Sequence, residues 1–162
     1  MAANTLDRTD LKILRCLQNS GRLANAELAD KVGLSPSPCL RRVRSLEQRG
    51  IIRRYAAIVD ARAIGLPISV FVNVSLHNQE RSSLEQFERH VSGYEEVMEC
   101  YLMTGSFDYM LRIVVPDLES YEHFLAEKLT TTPGVANIQS SFALKQVVYK
   151  TELPLGSAVD RY

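Results

Sequence analysis

The sequence predicts an α+β protein in two parts, three short helices ahead of an antiparallel sheet that carries two more. Three observations predict it. Residues 7–50 repeat apolar side chains at helical spacing between glycine stops, residues 66–150 alternate strands and helices in the order βαββαβ, and charge divides at the same place. The net charge of the 162 residues is zero, yet residues 1–62 hold 12 Lys+Arg against 6 Asp+Glu, and residues 63–162 hold 7 against 13. Such asymmetry suggests a nucleic-acid-binding module joined to a part that does not meet a polyanion. The expected domains are 1–62 and 63–155, followed by a short tail over 156–162.

The first helix is expected to open at Asp7, with Asp10 at the capping-box position. It buries Leu11, Ile13, Leu14 and Leu17 before Gly21. The second takes Asn25 as N-cap, buries Leu28, Ala29 and Val32, and stops at Gly33. The third starts from Ser35, buries Cys39 or Leu40, then Val43 and Leu46, and closes at Gly50. Two helices joined by a tight glycine turn, the second rich in arginine, describe a helix-turn-helix.

The third helix reads LSPSPCLRRVRSLEQRG. Proline costs about 3 kcal/mol in a helix interior but little in the first turn, whose N–H groups have no partner anyway. Ser35, Pro36, Ser37 and Pro38 therefore form a slim, stiff tip, followed at once by Arg41, Arg42 and Arg44. A helix entering the DNA major groove presents such a tip to base edges, and its free N–H groups face phosphate. After Gly50, IIRRYAAIVD alternates weakly, carries Arg53 and Arg54, and reads as a short strand or wing. These residues are the candidate contacts to double-stranded DNA.

In the acidic part, ISVFVNVSL alternates with Ile68, Val70, Val72, Val74 and Leu76 on one face. Residues 82–93 read as a helix burying Leu84, Phe87 and Val91, and 96–105 and 109–116 as strands. Residues 117–134 read as a helix capped by Asp117, with Leu118, Tyr121, Phe124, Leu125 and Leu129 inward. A long last strand is expected over 135–150. The order suggests a ferredoxin-like βαββαβ domain with helices on one face and self-association covering the other.

Composition excludes other classes. The 46% apolar and 23% charged fractions suit a globular chain. No apolar run approaches the roughly 18 residues of a membrane span, and MAANTLDRTD lacks a signal-peptide core. Cys16, Cys39 and Cys100 are expected to be buried reduced thiols, since no CxxC spacing occurs. His77, His90 and His123 share no ligand spacing, so neither a metal nor a cofactor is expected. No nucleophile motif or phosphate loop points to an enzyme.

The loop TGSFDYM carries the second candidate site. Gly105 permits a positive φ and exposes N–H groups that can cradle a carboxylate, and Asp108 could face an ammonium group. With Leu102, Leu118 and Phe142 nearby, this would suit a free apolar amino acid. Asp108 closing a β-turn through its own backbone is an equal reading.

The chain resembles the Lrp/AsnC family of transcriptional regulators. The resemblance rests on LDRTDLKILRCLQNSGR, ELADKVGLSPSPCLRRVRSLEQRGII, GSFDYMLRIVVPD and LTTTPGV. It implies a winged helix-turn-helix joined to a regulatory domain, homo-dimers through that domain that assemble further to octamers, and an amino-acid effector held between dimers. It implies a cytoplasmic, nucleoid-associated regulator of transcription that is not an enzyme. Carried over by position, the effector region falls on Leu102, Gly105, Asp108, Leu118, Phe142, Ala143 and Leu144. Ser106 departs from a position often acidic in the family, and Phe142 also differs from the common residue. The effector is expected to be leucine- or methionine-like.

Overall fold

The computed structural model describes residues 6–155; the expected tail over 156–162 lies outside them. Two compact units result. One holds the described residues up to Ile58 together with those from Val148, and the other is Val59–Val147. Residues 148–155, read from the sequence as the end of the second part, thus pack with the first.

In the first unit α1 (Arg8–Asn19), α2 (Asn25–Val32) and α3 (Pro36–Gln48) enclose Ile13, Leu14, Leu28, Ala29, Val32, Cys39, Val43 and Leu46. The capping box of α1 is complete: Asp10 N–H donates to Asp7 at 2.8 Å, and Asp7 N–H to Asp10 at 3.4 Å. The helix ends at Ser20 rather than Gly21. Gly33 closes α2 with φ of 73°, a left-handed conformation that glycine adopts without steric cost. Ala24, not Asn25, is the N-cap of α2. Cys39 rather than Leu40 fills the α3 core position, and Leu40 is exposed. No strand is assigned over 51–60, so the short strand expected there is irregular backbone after a bend at Ile51 and Ile52. A strand needs a partner for its N–H and C=O groups, and none of the described residues is paired with it there.

The second unit is a sheet in the order β2-β3-β1-β4 with every neighbouring pair antiparallel, the ferredoxin-like arrangement. Its strands are β1 (Ile68–Leu76), β2 (Val97–Leu102), β3 (Tyr109–Val115) and β4 (Val135–Phe142). Helix α4 (Arg81–Val91) follows β1, and α5 (Leu118–His123) follows β3 and widens into a π-helical turn over Phe124–Leu129. Val70, Val72 and Val74 of β1 and Leu111 and Ile113 of β3 bury against Phe87, Val91, Tyr121, Phe124 and Leu129. Leu118, expected inward, is exposed because it opens α5 directly after the N-cap Asp117.

The last strand stops at Phe142, well short of residue 150. Its partner dictates this: β1 pairs Val70 with Phe142, Ala143 N–H reaches Ser69 O at 2.9 Å, and β1 begins at Ile68. On the open face, Phe71 lies opposite Arg112, which donates to Glu99 at 2.7 Å, and Tyr101 O–H donates to the same carboxylate at 2.9 Å. Cys39 is buried as expected, but Cys100 is exposed on β2, an edge strand.

Candidate nucleic-acid interface and effector region

The α2–α3 turn positions the first site. Only Leu34 and the N-cap Ser35 separate Gly33 from Pro36, so α3 starts in a fixed direction. Asn25, read from the sequence as a cap, instead donates from Nδ2 to Pro36 O at 2.8 Å and ties the start of α2 to the first turn of α3. Ser35, Pro36 and Ser37 are exposed and Pro38 is half-buried. The Ser35 side chain makes no capping bond. Pro36 and Pro38 carry no N–H and Cys39 N–H donates to Ser35 O at 3.2 Å, so the Ser37 N–H is the first-turn donor left for an outside acceptor.

The arginines separate into two kinds. Arg41, Arg44, Arg53 and Arg54 are exposed and form no ion pair among the described residues. Arg42 is different. Its Nη1 lies 2.7 Å from Asp7 Oδ2 and 2.8 Å from Asp10 Oδ1, so one guanidinium bridges both acids of the α1 capping box. Asp10 is buried and Arg42 only partly exposed. Charge-assisted bonds of this length are the strong ones, and they engage Nη1, one of the three guanidinium nitrogens. Arg42, expected among the DNA contacts, is thus tied to the start of α1 while its side chain stays 36% exposed. The helical phase contained the signal: Arg42 stands three residues after Cys39 and four before Leu46, both fully buried, and so borders the buried face.

Burial acts to raise the Asp7 carboxyl, but the Asp10 amide and the Arg42 guanidinium outweigh it and hold the pKa below the ordinary 3.8. Glu47, the single acid within residues 41–54, is also engaged, accepting from Tyr55 O–H at 2.9 Å. Burial, aided by this carboxylate, pushes the Tyr55 phenol up to about 12. The Tyr55 ring lies over Gly21, where an added Cβ would stand 3.4 Å from Cδ1. Neither Tyr55 nor Asn25 was legible as a positioning residue, because the partner of each lies on another element.

The effector candidates fall into two groups. Leu102 and Asp108 flank Tyr109, which pairs with Val74 near the end of β1. The loop is closed by Met103 N–H to Asp108 O at 2.8 Å, and Gly105 takes φ of 125°, with Gly105 and Ser106 exposed. Asp108 does not turn back on its own backbone. Its Oδ2 accepts Leu76 N–H at 2.7 Å, its Oδ1 accepts Gln79 Nε2 at 2.7 Å, and its own N–H donates to Val74 O at 2.9 Å. Both carboxylate oxygens are thus engaged in tying the loop to the end of β1.

Leu118, Phe142, Ala143 and Leu144 lie at the opposite end of the sheet, where Ile68 pairs with Val115 and Val70 with Phe142. Phe142 packs edge-on against Tyr121 at 5.2 Å, and Leu144 is 95% exposed. At about 3.3 Å per residue, the step from Val70 to Leu76 separates the two groups by about 20 Å. One chain does not bring them together. The cavity beside α5 is lined by Glu96, Asp117, Glu119 and His123 with Val115, Pro116 and Ser120, a poor match for a free carboxylate.

Known proteins place this architecture. Residues 6–53 match the winged helix-turn-helix DNA-binding model, and residues 69–153 match the Lrp/AsnC ligand binding domain. The Bkd operon transcriptional regulator of Pseudomonas aeruginosa is 51% identical over 150 residues, covering 93% of this chain and 98% of that protein. The leucine-responsive regulatory protein of Escherichia coli is 40% identical over 148 residues, covering 91% of this chain and 90% of that one. A Neisseria meningitidis transcriptional regulator, solved as a complex with L-Met, superimposes with a TM-score of 0.89 at 42% identity, covering 94% of this chain and 99% of that one. No helix among the described residues is long and apolar enough to cross a membrane. A helix-turn-helix with an exposed arginine-bearing tip, followed by a ferredoxin-like ligand-binding domain, places the chain in the Lrp/AsnC family of DNA-binding transcriptional regulators, which are not enzymes.

Proposed function

We propose that Ser35, Pro36, Ser37 and Pro38 enter the major groove of operator DNA, that Ser37 and Arg41 read base edges, and that Arg44, Arg53 and Arg54 neutralise phosphates. The observation that supports this reading is the sorting of the arginines: four stand exposed with no ion pair among the described residues, while Arg42 is bound to Asp7 and Asp10. One such module offers few contacts, and linking two copies raises affinity through effective concentration. The working form is accordingly a homo-dimer assembled further, to an octamer, in the cytoplasm at the nucleoid.

The effector is an apolar amino acid, leucine- or methionine-like. The leucine-responsive name of one relative and the L-Met complex of another support that class. Because the two candidate groups stand at opposite ends of the sheet, a ligand touching both must lie between copies, with Leu102, Gly105, Ser106 and Asp108 from one and Leu118, Phe142, Ala143 and Leu144 from another. The test is a binding titration on the promoter DNA of this protein's own gene, repeated with each of the twenty amino acids. A change in operator affinity with leucine or methionine supports the reading. Binding with no preference for operator over random DNA, and no response to any amino acid, would replace it with an architectural DNA-compacting role.

A further inference from the structure

The chain beyond β4 returns to the first unit, and one side chain holds it there. Gln18, half-buried on α1, donates from Nε2 to Leu153 O at 3.2 Å and accepts Leu153 N–H on Oε1 at 2.7 Å. A single primary amide thus bonds both backbone polar groups of Leu153, whose own side chain is exposed. Two residues on, Leu155 packs against the apolar core of the three helices. These contacts join residues 135 apart in sequence.

Connectivity gives the clasp a consequence. The two units are joined by chain once after Ile58 and once before Val148. A single irregular linker absorbs a displacement at one end in its own torsions. A second linker, clasped at its far end, closes a loop, and a shift where β4 ends must then be taken up over residues 144–152 or act on α1. Phe142 to Leu144, effector residues in the reading above, lie at that end. Asp7 and Asp10 of α1 in turn grip Arg42 of α3.

We infer that the Gln18–Leu153 clasp is the coupling element that carries the effector signal from the end of β4 through α1 and Arg42 to the reading helix. This rests on the assignment of Phe142–Leu144 to the effector site. Coupling between two sites is a free energy separate from the affinity of either, and typically changes affinity about 5- to 150-fold. Losing the clasp should erase the coupling and leave both affinities.

The experiment compares full-length wild type, Gln18→Ala and Gln18→Asn, the last keeping the amide but not its reach. Operator affinity is measured with and without saturating L-leucine or L-methionine, amino-acid affinity by calorimetry, and exchange at the Leu153 amide by hydrogen exchange. The expected result is operator and amino-acid affinities each within about two-fold of wild type, faster exchange at Leu153, and an amino-acid response reduced to less than about two-fold. A full response in both variants, with Leu153 released, overturns the coupling. A wild type that answers to no amino acid defeats the effector reading instead. The coupling falls with it, whereas a full response in the variants overturns the coupling alone, so the two failures are told apart.

Discussion

The two units solve the problem of site building differently. The tip proposed to face DNA is made by one stretch of chain, because a helix start, a turn and a charged face all lie within residues 24–54. The effector candidates come from both ends of a sheet, about 20 Å apart along β1. A sheet places sequence-distant residues side by side, but it fixes opposite ends of a strand far apart. A local motif can be complete in one chain, whereas residues at two ends of a sheet can meet only through another copy.

The first way to break this comparison is to damage one core and watch the other. Phe87→Ala empties the space of a fully buried ring between α4 and the sheet, and should cost the second unit about 3–5 kcal/mol. Leu46→Ala should cost the helical unit about 2–5 kcal/mol. Urea unfolding followed by residue-resolved hydrogen exchange checks both. Equal loss of protection in α1–α3 and β1–β4 in either variant would refute two separate cores.

The next test concerns the arginines. Arg42→Ala leaves the buried Asp10 without its cation and should destabilise the helical unit by about 1–3 kcal/mol. It should leave the salt dependence of operator binding unchanged, since no phosphate contact is lost. Arg44→Ala should do the reverse, lowering the salt slope by about one with little change in stability. A lower slope for Arg42→Ala would return that residue to the DNA surface.

Asp108→Asn sharpens the other side. Asparagine removes the charge and turns one of the two accepting oxygens into an NH2 donor, so both bonds cannot persist as charge-assisted ones, and Gln79 must turn its amide over to keep its contact. The expected cost to the sheet unit is about 1–2 kcal/mol, together with faster exchange at the Leu76 amide. Unchanged stability and unchanged exchange would mean the carboxylate is free for a ligand's ammonium group after all.

The smallest effect is the pH dependence of the Asp7 pair. A carboxyl whose folded pKa lies below its unfolded value contributes stability that is complete above about pH 3.8 and is lost as pH falls through the lowered folded pKa. Asp7 is half exposed, so the contribution is a few tenths of a kcal/mol. The stability gap between wild type and Asp7→Asn should close between about pH 4 and pH 2. A gap that persists at pH 2 would point to packing rather than charge.

Much of this was legible, and the reasons are physical. The capping box of α1, the glycine stop of α2 and the alternation of β1 are written in neighbours a few residues apart. The ferredoxin-like order followed from the alternation of elements. Features set by distant partners were not legible in the same way. β4 stops at Phe142 because β1 begins at Ile68, and nothing within VANIQSSFALKQVVYK marks that point. The clasp of Gln18 on Leu153 spans 135 positions. Asp108 was recognised as special, but its tie to Leu76 and Gln79 rather than to its own turn depends on where β1 ends.

The contrast between a site made by one chain and a site shared by two is tested most directly by mixing defective copies. Leu102 and Leu144 are both exposed, so Leu102→Arg and Leu144→Arg should each fold while placing a charge in one half of the effector site. Each purified variant alone should bind no L-leucine or L-methionine in calorimetry. Dissociated, mixed in equal amounts and reassembled, they should regain about a quarter of the wild-type number of binding sites, because a site built from two copies then pairs two native halves one time in four. Recovery of no sites, with assembly intact by sedimentation, would mean that both halves belong to one chain and that the account of the effector site is wrong.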